Sequence, residues 1–349
     1  MSEKKAPNPY VKPVAELIIG ILIVILAITA LNYISLAYKG ISVPEGWAII
    51  RPPNEVSTLI IENDTIWTGG KDGLVLINRS NKTRVPVPGN APSFGFVRAI
   101  IRDHEGQIWV GHDGGLARYN TDGWHTLPGS ENGSYPFTEA LSLLETHEGD
   151  IWAGSRGGIA SYRNGSWHVE SPKGGFRLAT TDVLFEDRDQ TIWIGSADPN
   201  NGGLYSLVNG TWTYYSVENG LPHQAVRMVS QDRNGTLWVA TGFSNQGGLL
   251  RIQHGNWTIL SKRDGLSADN SRSVYEDSQG RLWAGSEYDG IAIQNGTTWR
   301  VLTTANGLAG NELKVVKEDV DGAYWLGTSG GLNWVRSGEF VVSCGCASL

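Results

Sequence analysis

Tryptophan recurs along this chain at an almost constant interval, and that period constrains the fold more than any other feature. Trp67, Trp109, Trp152, Trp193, Trp238, Trp283 and Trp325 are separated by 42, 43, 41, 45, 45 and 42 residues. The surrounding text repeats as well: DHEGQIWVGHDGGLARY, HEGDIWAGSRGGIASY, DRNGTLWVATGFSNQGGLLRI, DSQGRLWAGSEYDGIAI and DVDGAYWLGTSGGLNWV. The first copy, ENDTIWTGGKDGLVLI, is more degenerate. A second aromatic follows most copies by 15 to 19 residues, at Trp124, Trp167, Trp212, Trp257, Trp299 and Phe340. Self-similarity at this period marks a repeat architecture in which each copy is one supersecondary unit.

Each copy divides into four short strands. An alternating run such as AVRMVSQ comes first, followed by a turn with Asp at its first position and Gly at its fourth: Asp103/Gly106, Asp232/Gly235, Asp277/Gly280 and Asp319/Gly322. A type I turn prefers those residues there, because the Asp carboxylate bonds the turn backbone. The Trp strand, a Gly-Gly or Asp-Gly turn and a third strand come next. Asn-Gly then leads to the fourth strand at Asn164-Gly165, Asn209-Gly210 and Asn295-Gly296, the pair favoured in two-residue hairpins. No sustained 3.6-residue period occurs after residue 40, so the spacing predicts an all-β, seven-bladed β-propeller over residues 46–343. The 45 Gly and 14 Trp fit short strands joined by tight turns better than disorder. The central tryptophans are expected between adjacent blades, as core. The closure of the ring is open: Glu339–Ser343 suits the last blade's fourth strand, while Gly46–Ile50 either adds to that blade or lies outside the ring.

Ahead of the repeats, residues 14–37 read VAELIIGILIVILAITALNYISLA, with Glu16 the one charge. That length crosses a hydrocarbon core of ~30 Å. Lys4, Lys5 and Lys12 precede it, so the positive-inside rule places a cytoplasmic tail at 1–13, a single-pass anchor in the cell membrane at 14–37, a stalk at 38–45 and the propeller outside the cytoplasm. The rival is a cleaved signal peptide with Ser35 and Ala37 before the cut, though the apolar run exceeds the usual length. Residues 344–349 form a C-terminal tail holding Cys344 and Cys346, which bind a metal, bridge to a partner, or simply end the chain.

A net charge of −7 argues against a nucleic-acid partner, since no cation excess is available for phosphates. Two cysteines exclude a disulfide framework. The seven histidines, His104, His112, His125, His147, His168, His223 and His254, show no zinc-ligand spacing, and neither a nucleophile elbow nor a phosphate loop is present. The expectation is a non-enzyme without cofactor or metal; a propeller lyase or hydrolase, with a site assembled from distant loops, is the minority alternative. Nine N-x-S/T sequons lie in the outside portion, at Asn63, Asn78, Asn81, Asn132, Asn164, Asn209, Asn234, Asn256 and Asn295. They are either glycosylation acceptors or hairpin turns followed by a hydroxyl residue.

Eleven residues before each central tryptophan stand Val56, Arg98, Leu141, Asp182, Arg227, Arg272 and Lys314. Four cations thus occupy one equivalent position, early on the innermost strand near the channel mouth. Either each pairs with a neighbouring carboxylate or snorkels to solvent, or together they form a funnel for an anionic ligand. In the second case His223, Gln224, Asn270, Asn311, Arg156 and Tyr288 on nearby loops set the ligand's orientation. Aromatics on the same loops (Phe94, Phe96, Tyr135, Phe137, Phe176, Phe243 and Tyr288) suit sugars or protein partners.

The phrases NGLPHQAVRMVSQDRNGTLWVAT, DGLSADNSRSVYEDSQGRLWAGS and NGLAGNELKVVKEDVDGAYWLGT resemble the two-component regulator propeller repeat, over roughly residues 55–343. The resemblance implies an extracytoplasmic sensing propeller of the kind found in hybrid kinases, often tuned to oligosaccharides. No kinase, receiver or DNA-binding segment accompanies it, so a signal would pass through a partner. Two functions follow as expectations: an anchored propeller that binds or senses a ligand, a glycan or small anion, and a propeller that scaffolds envelope or surface proteins.

Overall fold

The computed structural model describes residues 21–26, 28–29, 43–127, 135–172 and 180–339. Residues 21–26 and 28–29 are helical, and no helix among the described residues is long and apolar enough to cross a membrane. Most of the anchor segment, Asn132, Phe176, Phe340 and the cysteines Cys344 and Cys346 lie outside the described residues.

The described strands after residue 43 form seven four-stranded antiparallel sheets, one per repeat. The innermost strands of blades 1 to 7 are Thr58–Glu62, Val97–Arg102, Ser142–Glu145, Val183–Glu186, Val226–Gln231, Ser273–Glu276 and Leu313–Glu318. Each touches its neighbour in turn, and the last returns to the first, which closes the ring. The N-terminal segment is the closing piece: Trp47–Ile50 pairs with Gly331–Val335, from Trp47 opposite Val335 to Ile50 opposite Leu332. A blade borrowed from both ends of the repeat region leaves no unpaired edge where the ring meets itself.

Six central tryptophans are buried, three of them (Trp109, Trp283 and Trp325) to 1% exposure or less, and Trp193 is half-buried. Each apolar cluster mixes two blades. Trp109 of blade 2 packs on Leu143, Ile151 and Ala153 of blade 3, and Trp325 of blade 7 packs on Leu59, Ile66 and Val75 of blade 1. At ~25 cal/mol/Å², a buried indole of ~200 Å² contributes at most about 5 kcal/mol, so inter-blade packing dominates the cohesion of the ring.

Indole N–H groups cannot be left unpaired in that core. The turn aspartate supplies the acceptor: Nε1 donates to the Asp carboxylate six residues earlier at Trp109–Asp103 (2.7 Å), Trp193–Asp187 (2.8 Å), Trp238–Asp232 (3.0 Å), Trp283–Asp277 (2.9 Å) and Trp325–Asp319 (3.0 Å). The other carboxylate oxygen accepts turn N–H groups, as Asp103 does from Gln107 at 2.7 Å. The expected turn bond is also present, Gly106 N to Asp103 O at 2.9 Å and Gly322 N to Asp319 O at 2.9 Å. One acidic residue therefore closes the turn and satisfies the tryptophan behind it.

Asn164-Gly165 and Asn209-Gly210 take positive φ at both positions, as the hairpin requires. Asn295-Gly296 does not: Asn295 pairs with Thr298, so Gly296 is the first turn residue at φ 62° and Asn295 stays in the strand. Short 3₁₀ turns, Val217–Asn219, Lys262–Asp264 and Thr304–Asn306, precede blades 5, 6 and 7. Each ends in a positive-φ Gly (Gly220, Gly265 and Gly307), and the next residue, Leu221, Leu266 or Leu308, is buried. This explains the recurrent Gly-Leu phrase as a turn stop followed by a core anchor.

Candidate functional site at the channel mouth

The first residues of the inner strands surround a central cavity of about 560 Å³, within the range of small-ligand sites. Arg98, Arg227, Arg272 and Lys314 all line it, with Arg156 and Asp182, so the spacing argument places the four cations correctly. In blade 1 the count lands one residue off. Its first turn is shorter, so Thr58 pairs with Gly69 and Ser57, beside the buried Val56, faces the cavity.

Three of the four mouth cations are paired with carboxylates, the first of the two readings that the sequence leaves open. Arg98 pairs with Asp113 at 3.0 Å, Arg272 with Glu312 at 2.8 Å, Lys314 with Glu55 and, at 3.5 Å, with Glu312, and Arg156 lies 3.9 Å from Glu139. Arg98–Asp113 and Arg156–Glu139 form within one blade, whereas Arg272–Glu312 and Lys314–Glu55 cross between blades, so closing the ring supplies part of the neutralisation that repeated cations demand. Asp182 instead accepts the Ala197 N–H at 2.8 Å.

Arg227 differs from the rest: among the described residues it has no carboxylate within ion-pair distance. Its Nε donates to Gly242 O at 3.1 Å and its guanidinium lies 5.9 Å from the Phe243 ring centre. Burial, and next the charge of Arg272, lower its pKa, yet a guanidinium stays protonated at any working pH. Burial, then the charge of Arg227, also lowers the pKa of His223 and favours the neutral imidazole there, whose Nδ1 accepts the Ala225 N–H at 2.9 Å.

Three buried polar atoms near this arginine lack partners among the described residues: Gln224 Oε1, Asn270 Nδ2 and Ser271 Oγ. Asn270 is 3% exposed and its Cβ side abuts Gly242, the residue whose carbonyl holds Arg227. Gly242 has φ 138° and space for no Cβ, which is what lets the two loops meet. Phe243 and Tyr288 stand exposed at the rim. Arg227, Gln224, Asn270, Phe243 and Tyr288 thus form a polar and aromatic cluster over blades 5 and 6.

The remaining loop expectations fare less well. His223, Gln224, Asn270, Asn311 and Tyr288 do not line the central cavity, and Asn311 Oδ1 is occupied by the Thr304 N–H at 2.8 Å in the turn before blade 7. Tyr135 is fully buried and donates to Glu139 O, so it serves the core. Phe96 lies 3.9 Å beneath Arg98. Of the sequons, Asn63, Asn81, Asn164, Asn209, Asn234, Asn256 and Asn295 are exposed, while Asn78 is half-buried and accepts the Ser80 and Asn81 N–H groups. No group of three or more metal-ligating side chains gathers among the described residues. The pairing carboxylates Glu55, Asp113, Glu139 and Glu312 escaped sequence reasoning, because they stand on loops and share no fixed offset from the central tryptophans.

The family described as two component regulator propeller matches residues 220–243 and 265–288, the stretches that carry this cluster. Among solved structures, the extracellular domain of a protein described as a hybrid two component system, BT3049 from B. thetaiotaomicron, is similar at TM-score 0.71 and 18% identity, covering 84% of this chain and 41% of that one. PorZ, a surface component of the type-IX secretion system of Porphyromonas gingivalis, is similar at 0.59 and 14% identity, covering 81% of this chain and 46% of that one. Virginiamycin B lyase from Staphylococcus aureus reaches 0.63 at 13% identity, covering 83% of this chain and 98% of the lyase. This chain spans less than half the length of the first two, and likeness at such identity establishes the fold alone. No curated protein matches the chain in sequence. Seven closed blades make the described residues a β-propeller, and residues 220–243 and 265–288, in the fifth and sixth blades, match the two component regulator propeller.

Proposed function

We propose that the chain is a membrane-anchored, extracytoplasmic propeller that binds a ligand at the channel mouth over blades 5 and 6 and reports it through a partner protein. The ligand is an anionic carbohydrate, with its carboxylate on Arg227 and its ring against the exposed Phe243 and Tyr288. The observation that carries this reading is Arg227, the mouth arginine without a carboxylate, set beside three buried polar atoms that lack partners. Exposed Phe243 and Tyr288 suit the apolar face of a sugar ring. The similarity to an extracellular domain of a two component system supports a sensing role.

The test is titration of the full chain in detergent with uronic-acid-containing and neutral oligosaccharides at two salt concentrations. We expect binding to the acidic set, weaker at high salt. Arg227→Ala should weaken it by about 1.5–3 kcal/mol, roughly 10- to 150-fold, with little change in stability. Salt-insensitive binding, or a variant that loses stability while binding as before, would overturn the assignment. The scaffolding alternative uses the same aromatics; it gains if Phe243→Ala abolishes capture of an envelope protein while no oligosaccharide competes.

A further inference from the structure

The inner strands carry a second tier deeper than the mouth. The residue opposite the central tryptophan is, blade by blade, Ile60, Ile101, Leu144, Phe185, Ser230, Tyr275 and Lys317. The pairing register places these residues at one height. Four are purely apolar and one is aromatic with a hydroxyl. Lys317 is the tier's one charge, and it lines the central cavity with Ile101, Met228, Ser230 and Tyr275.

Lys317 makes no ion pair and no hydrogen bond among the described residues, in contrast to Lys314 one step up the same strand. Carboxylates stand nearby but are engaged elsewhere. Glu318 on its own strand accepts Ser278 N and Oγ, both at 2.6 Å. Glu276 on the flanking strand pairs with Arg233 at 3.1 Å, and Glu62 on the other side pairs with Arg102 at 3.3 Å. The remaining titratable neighbour is the Tyr275 phenol, held above its ordinary pKa by burial and then by the Glu318 charge, and so neutral. The Lys317 side chain is open to the lumen but walled by protein around the channel, and this confinement lowers its pKa. Its ammonium, exposed to the lumen in a largely apolar tier and without a carboxylate partner among the described residues, is open to an anion from outside the chain.

We propose that Lys317 anchors the carboxylate of an amphipathic ligand, an anion on an apolar aryl or alkyl body, at the lower tier of the channel. The carboxylate meets the ammonium, and the body lies against Ile101, Met228 and the neighbouring apolar side chains. The mouth admits it between paired charges that present little net repulsion. This site stands apart from the carbohydrate site over blades 5 and 6 and shares none of its side chains.

The probe is 2-naphthoate, a fluorescent aryl carboxylate, titrated into the full chain, with neutral 2-naphthalenemethanol as the uncharged control. We expect saturable 1:1 binding of the anion and at least tenfold weaker binding of the alcohol. Lys317→Met should weaken the anion tenfold or more, Lys317→Arg should keep it, and Arg227→Ala should leave it within about twofold. That last arm separates the two sites, because Arg227→Ala removes acidic-sugar binding in the other assay. Equal affinity in Lys317→Met, equal affinity for the alcohol, or no saturable binding by the parent overturns the proposal. Should Lys317→Met not fold, the parent decides it: affinity must fall as pH rises through the lowered lysine pKa, and a flat profile over that range is a refutation.

Discussion

Asp277 sits at 1% exposure beneath the first turn of blade 6, where it accepts Trp283 Nε1 at 2.9 Å, Arg281 Nε at 2.7 Å and Arg281 N at 2.9 Å, and the Tyr324 hydroxyl of blade 7 at 3.2 Å. Burial pushes its pKa up, but the bonds from Trp283 and Arg281 together hold it below the usual carboxylate value. Its contribution is therefore complete above the unfolded-state pKa and fades as pH falls through the lowered folded value. Replacing it by Ala leaves Arg281, 6% exposed, as a buried charge without its carboxylate. Asp277→Ala should cost about 3–5 kcal/mol, read from the denaturant midpoint at neutral pH; a cost under about 1 kcal/mol would show the network to be incidental. Lys317 predicts the opposite sign. Its folded pKa is lowered, so the unfolded chain holds the proton to higher pH, and the penalty is full below the folded pKa and vanishes above the ordinary lysine range. Because water in the lumen screens the ammonium, Lys317→Met should leave Tm at pH 7 unchanged or slightly raised, in a thermal scan against the parent. A lowered Tm would mean that the ammonium has a structural partner.

At five of the seven blade contacts, the end of the inner strand reaches back to the preceding turn. Glu186 accepts His147 N at 2.7 Å, Gln231 accepts Arg188 N at 3.1 Å, Glu276 accepts Arg233 N at 2.7 Å and Glu318 accepts Ser278 N at 2.6 Å. At the blade 2–3 contact Glu145 accepts His104 N at 2.9 Å and also pairs with the imidazole, which raises the His104 pKa chiefly through that hydrogen bond. The imidazolium contribution is complete below the unfolded pKa near 6.5 and lost as pH rises through the folded value. His104→Gln should therefore flatten a small decline in Tm between mildly acidic and mildly alkaline pH; an unchanged decline assigns it to other groups. The closing strand is the larger element. Asn333, fully buried, accepts Ala309 N at 2.7 Å and donates to Gly307 O at 3.0 Å and Ala48 O at 3.4 Å, tying blade 7 to both the turn before it and the incoming N-terminal strand. Deleting residues 43–50 should lower stability by several kcal/mol and expose Gly331–Val335 as a free edge, visible as concentration-dependent association in sedimentation. A monomeric, equally stable deletion would mean that the ring does not need the strand.

At the scale of the whole chain, the proposed orientation makes a plain prediction: protease added to intact cells should release a fragment carrying the propeller, and release only after lysis would reject it. The sequence alone determined the number of blades, the burial of the central tryptophans, the Asp-Gly turns and the ring of mouth cations. Those features repeat, and each rests on residues within about one repeat of one another: a turn preference, a two-residue strand period, a fixed offset from Trp. Asn295 shows the limit even of local reading, since its place in the turn was set by the pairing of Asn295 with Thr298 and not by the Asn-Gly dipeptide. Only the tertiary structure decided the closure of the ring and the state of its charges. Both candidate closing strands had the right pattern, and the pairing with Gly331–Val335 selected Trp47–Ile50. Arg98 meets Asp113 15 residues away, Arg272 meets Glu312 40 away, and Lys314 meets Glu55 259 away. Coulomb energy depends on distance in space, and only the fold shows which acid each cation meets: Asp113 across one hairpin, Glu312 on the next blade, and Glu55 where the closed ring joins the two ends of the repeats. The same holds for Arg227 and Lys317, which look in sequence like their paired counterparts and are singled out only by what the folded ring leaves beside them.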